Sequence, residues 1–199
     1  YEGNGKNCQW IPCKPPVGDF ENTKNRDITF VTFGDPQISL LDGPGCAKGS
    51  DYSADQQTRM IAAINGLAAQ KWPKGHDLHR EGKPISRIRG VLVAGDITEN
   101  GSEPLAQSNG DHVPGVSCDE FTPFEQAYGV CGERDLNYPV YEGYGNHDFP
   151  YMSQLNSDYH PVIGLIGART PHRANIVHSA PAEDAHYAWK WDDIHFVNL

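Results

Sequence analysis

Basic residues, long apolar runs and zinc-type cysteine spacing are all scarce in this chain, and each scarcity excludes something. Sixteen Lys and Arg stand against 26 Asp and Glu in 199 residues, a formal charge of −10. Polyanions are normally met with a Lys/Arg footprint, so nucleic acid is not an expected partner. No apolar stretch approaches the roughly 18 residues of a membrane helix, and no membrane span is expected. Trp10, Trp72, Trp189 and Trp191 form no membrane-docking stripe. Nothing at Tyr1 has the charged and apolar regions of a signal peptide. A chain that starts there without Met reads as a processed secreted protein or a trimmed one. The five cysteines follow no C-x-x-C pattern, which argues against a structural metal clip.

What is present is an ordinary globular composition, 38% hydrophobic and 21% charged, enough for one core. Cys8, Cys13, Cys46, Cys118 and Cys131 lie in Gly/Asn/Pro-rich segments, where covalent closure would stabilise loops. This usage points to an oxidising location, secreted or periplasmic, with Cys118–Cys131 and Cys8–Cys13 as the expected pairs. Cys46 would then find its partner beyond Leu199. Five reduced thiols in a cytosolic enzyme is the alternative.

Residues 1–26 carry Pro12, Pro15 and Pro16 among Gly and Asn and read as a turn-rich extension, leaving one domain over 27–199. Asp27 to Phe33 is β-branched and aromatic and breaks at Gly34, a strand pattern. Ser53-Ala54-Asp55-Gln56 is a capping box, after which Met60, Ile61, Ile64, Leu67 and Ala68 recur at helical spacing up to Trp72-Pro73. Ile88 to Ala94 is a nearly continuous apolar strand of the buried, parallel type, completing a βαβ unit. Thr122 as N-cap, Pro123 and Glu125 open a short helix, and Tyr138 to Tyr144 follows as a strand. Near the end, His186–Trp191 and Ile194–Leu199 alternate about Asp192-Asp193, which predicts a β-hairpin.

Two segments are less defined. Residues 97–120, with Glu99, Asn100, Asp111, His112 and Asp119, read as a long loop over the site and a candidate for substrate selection, its charges mostly solvated. Residues 149–185 hold His160, His172, His178, Arg169 and Arg173, for which surface or packing roles are expected, a phosphate-binding Arg being the alternative.

Three short stretches carry the chemistry: Gly34-Asp35-Pro36-Gln37, Gly95-Asp96 and Gly145-Asn146-His147-Asp148, each after a strand. Singly, each could be a turn or a hydrogen-bonded loop cap. Together they bring two carboxylates, an amide and an imidazole to the carboxyl ends of successive strands, where ligand sites of α/β sheets collect. That is a donor set for two divalent cations about 3.5–4 Å apart, which clamp the attacking and leaving oxygens of a phosphoester. Asp96 is the candidate bridging ligand.

In order and spacing these stretches resemble the calcineurin-like metallophosphoesterase family, whose motifs run Asp-x-His or Asp-x-Gln, Gly-Asp, Gly-Asn-His-Asp/Glu, then an isolated His and Gly-His-x-His. The resemblance covers Asp27 to Leu199, and the last two motifs do not occur in it. It implies an α/β fold with two facing mixed sheets flanked by helices, an αββα sandwich whose C-terminal part would follow Leu199. It also implies hydrolysis of a phosphoester by a hydroxide bridging two metal ions. Asp35 and Gln37 would serve the first ion and Asn146 the second. His147 would contact the leaving group as general acid, with Asp148 orienting its ring. The ions could be Mn, Zn, Fe, Mg or Ca, and Gln37 in place of the commoner His favours the harder Mn, Mg or Ca. Two other readings stand beside this one: a non-catalytic binding or scaffold relative, and an extracellular phospholipase or nuclease on the same metal site.

Overall fold

β-branched and aromatic runs form the strands here, and helices with one apolar face cover them. The structure is a computed structural model and describes residues 28–38, 54–75, 80–99, 101, 104–106, 112–117, 120–149, 161–173, 175–179 and 185–199. Among these the order is β1 (Thr29–Phe33), α1 (Ala54–Asn65), β2 (Ile88–Val93), β3 (Pro104–Ala106), β4 (His112–Ser117), α2 (Phe121–Tyr128), β5 (Val140–Glu142), α3 (Pro161–Arg169), β6 (Ile176–Ser179), β7 (Tyr187–Trp191) and β8 (Ile194–Asn198). The class is α/β. A parallel sheet has the order β1-β2-β5, and an antiparallel sheet the order β6-β7-β8.

Alternation along the parallel strands decides what each face meets. Phe30, Gly90 and Tyr141 face the antiparallel sheet: Phe30 lies 5.9 Å from Trp191, and Tyr141 stacks on Trp189 at 4.6 Å. A Cβ at Gly90 would come within 3.0 Å of both the Trp191 and Tyr141 rings, so the bare backbone is what lets the indole approach. On the other face Phe33 meets Tyr128 of α2 at 5.8 Å, and Val91, Val93 and Val140 join Ile61, Ile64, Phe121 and Phe124 in the core. Full burial of such side chains contributes about 1.5–3 kcal/mol each. The Tyr128 hydroxyl donates to Gln57 Oε1, and Gln57 Nε2 donates to the Pro36 carbonyl at 3.2 Å, tying both helices to the loop after β1.

Several expectations need correction. The second helix starts at Phe121 with Glu120 as its N-cap, so Thr122 lies inside the first turn and does not cap it. The segment 97–120 is not all loop, because β3 and β4 pair within it. The third parallel strand is shorter than 138–144. Segment 149–185 contributes α3 and β6, and its two arginines take the packing roles expected of them, buried and not at the surface. Glu142 takes Arg169 Nε at 3.0 Å and also pairs with Arg173. Arg169 lies over the Phe121 and Phe124 rings, and Arg173 Nε donates to the Val140 carbonyl at 3.0 Å.

The hairpin is as expected, with Trp191 opposite Ile194 and Asp192 at the turn, where it accepts from Arg89 at 3.2 Å. Cys131 is disulfide-bonded. The capping Ser53, residues 1–26 and Cys8, Cys13, Cys46 and Cys118 lie outside the described residues.

Candidate functional site

Parallel pairing carries the ends of β1, β2 and β5 to one edge, and each strand is followed, directly or after one or two residues, by one of the three motif stretches. The first two loops run on side by side. Asp35 N–H donates to the Gly95 carbonyl at 3.1 Å, Gln37 N–H to that of Asp96 at 2.9 Å, and Ile38 N–H to that of Ile97 at 2.8 Å. The third joins them through His147 N–H, which donates to Asp96 Oδ1 at 2.8 Å. Asp35, Gln37, Asp96 and Asn146 are therefore on adjoining loops.

Three of these four have left-handed backbones, at φ +56° for Asp35, +40° for Gln37 and +50° for Asp96. Such conformations cost about 1–3 kcal/mol each and persist only where the surroundings enforce them, most often at functional sites. Close approach does the enforcing. A Cβ at Gly95 would lie 2.6 Å from Gly145 N, and one at Gly145 would overlap the Asp96 carboxylate. Only glycine at both positions lets the β2 and β5 loops meet.

Among the described residues the side chains of Asp35, Gln37 and Asn146 make no hydrogen bond, and Asp35 and Asn146 are exposed. Their oxygens, with the second oxygen of Asp96, are available to a cation. Among the described residues no three His, Cys, Asp or Glu side chains stand together as a metal-binding group. Two of the four expected ligands are amides, and the other two, Asp35 and Asp96, are carboxylates. The Gly145 cradle against Asp96 and the all-oxygen donor set fit hard divalent cations.

His147 lies on a single 3₁₀ turn, Asn146–Asp148. Its Nδ1 is 2.9 Å from the Glu99 carbonyl, an acceptor only, so Nδ1 carries the proton and Nε2 is the free nitrogen. The Glu99 carbonyl bond raises the imidazole above its ordinary pKa, burial works against this, and the Asp96, Glu99 and Asp148 carboxylates add to it.

The expected ring-orienting role of Asp148 is not what its contacts show. Asp148 is fully buried and its carboxylate accepts from Gly145 N–H at 2.8 Å, Thr98 N–H at 2.9 Å and the Thr98 hydroxyl at 3.0 Å. Burial raises its pKa, partly offset by these bonds. The ring is oriented by the main-chain carbonyl of Glu99, a residue the sequence placed in the loop over the site without this role. Thr98 was missed too. Tyr144, just before the motif, shares a hydrogen bond of 3.0 Å with His186 Nε2, a second tie on the loop.

Comparison of the chain with family models, with curated proteins and with solved structures found no match.

Proposed function

We propose that this protein is a metal-dependent phosphoester hydrolase, a phosphatase or phosphodiesterase of the calcineurin-like metallophosphoesterase type. The observation that carries the reading is the meeting of Asp35, Gln37, Asp96 and Asn146 on adjoining loops, three of them left-handed. Strain retained just past the ends of β1 and β2 has no use in the core, which the same strands build without it. Asp35, Gln37, Asp96 and Asn146 would hold two divalent cations, manganese, magnesium or calcium in preference to zinc or iron. When bound, the cations supply an activated water and neutralise charge on phosphate oxygens.

The remaining chemistry belongs to the chain. Asp96 presents one carboxylate oxygen to His147 N–H and keeps the other for a cation. His147, with Nδ1–H fixed on the Glu99 carbonyl, would in its imidazolium form offer Nε2–H to hydrogen-bond the phosphate or protonate the leaving alkoxide, leaving the neutral ring with its proton on Nδ1. The disulfide at Cys131 supports an oxidising location, secreted or periplasmic. Among the described residues no helix is long and apolar enough to cross a membrane.

The test is Asp96→Asn in the full native chain, with bound metal counted and phosphodiester hydrolysis measured. Loss of at least one ion together with turnover is expected. Two ions retained at normal turnover would remove Asp96 from the site, and a wild-type chain that takes up no divalent cation would leave the scaffold reading.

A further inference from the structure

Holding Asp96 and Asn146 at a fixed separation is a demand that falls on the loops, and one buried carboxylate meets it. Asp148 has no exposed surface. Its Oδ1 accepts from the amide and hydroxyl of Thr98, two residues past Asp96, and its Oδ2 from the amide of Gly145, which precedes Asn146. The Thr98 hydroxyl in turn accepts Gly101 N–H at 3.1 Å. Thr98 stands on the loop after β2 and Gly145 on the loop after β5, so the carboxylate bonds to both loops at once. The bare Gly145 against Asp96 means that a small displacement of either loop would change the cleft between the two candidate ligands.

We propose that Asp148 is a positioning residue: it latches the Asp96 loop to the Asn146 loop through Thr98 and Gly145, and so sets the affinity of the site for divalent cations. This rests on the two-cation reading above. A mere turn cap would need only the Gly145 bond, within its own loop. The two bonds to Thr98 cross 50 residues of sequence to the neighbouring loop, which local capping does not require.

The experiment is calorimetric titration of the full native chain with Mn²⁺, for wild type, Asp148→Asn and Thr98→Val, beside amide hydrogen exchange at Thr98 and Gly145. Partners of this kind are worth about 10–100-fold in metal affinity. Asp148→Asn is expected to lose that much, with faster exchange at both amides, and Thr98→Val a smaller amount in the same direction. Unchanged Mn²⁺ affinity in the two variants overturns the latch while leaving the two-cation reading intact. If Asp148→Asn does not fold, Thr98→Val decides alone, and wild-type affinity there overturns the proposal. Wild-type protein that binds no Mn²⁺ sinks the two-cation reading and this assignment with it.

Discussion

The imidazole of His147 is anchored through Nδ1 on a backbone carbonyl, so substituting it removes Nε2 without touching the side-chain oxygens of Asp35, Gln37, Asp96 or Asn146, the proposed ligands. His147→Ala should therefore leave metal content intact and lower kcat. General acid catalysis is worth about 10²–10⁴-fold, so the loss should approach that range for esters with poor alkoxide leaving groups. Activated aryl esters need little protonation and should lose less. Equal losses on both substrates would assign His147 to phosphate positioning, and a lost ion would make it a ligand. At this scale the sequence was informative where chemistry follows residue type and order: two carboxylates and an amide after three strand patterns were enough to nominate Asp35, Asp96 and Asn146. It named Asp148 and Glu99 but not their partners, because bonds to main-chain groups on another loop leave no mark on spacing.

Among the elements, the close layer between the parallel sheet and the β7–β8 hairpin is the most sensitive to volume. A methyl at Gly90 would meet Pro139 O at 2.9 Å and two aromatic rings at 3.0 Å. Gly90→Ala is expected to cost about 1–3 kcal/mol, the usual range for overpacking a core. Urea denaturation would read this as a lower midpoint with an unchanged slope, and a midpoint equal to wild type would mean that the hairpin packs more loosely than these distances imply. β1, β2, α1 and the hairpin were legible because their periodicities are uninterrupted. α3 was not: Pro-Val-Ile-Gly-Leu-Ile-Gly-Ala-Arg contains two glycines and little polar alternation, and it is helical because Val162, Ile163 and Ile166 find buried places. Likewise, nothing local to Arg169 or Arg173 announces a partner on β5.

For the molecule as a whole, Glu142 joins β5 to α3 and to Arg173 beyond it, wholly out of solvent. Burial alone would raise its pKa, but the Arg169 and Arg173 guanidiniums outweigh that and hold it below the ordinary value. A carboxyl depressed in the folded state contributes stability above its unfolded pKa of about 4.3, and that contribution falls away as pH drops toward the lower folded value. Glu142→Gln should remove it at all pH and strand two buried cations, a loss of about 3–5 kcal/mol. The stability gap between wild type and variant, followed by thermal melts from neutral to acid pH, should be constant near neutrality and narrow in acid. A gap that widens in acid would reverse the assigned sign. The parallel order β1-β2-β5 reaches beyond equilibrium as well. None of its pairings is a hairpin, and the Arg89–Asp192 contact spans 103 residues, so its chain closures are long and entropically slow, whereas β7 and β8 can zip locally. Asp35, Asp96 and Asn146 converge only when all three strands are in register. On the two-cation reading, competence to hold a cation thus arrives only with the complete parallel sheet, together with the cover that Phe30 and Tyr141 give Trp191 and Trp189, and not with the hairpin alone.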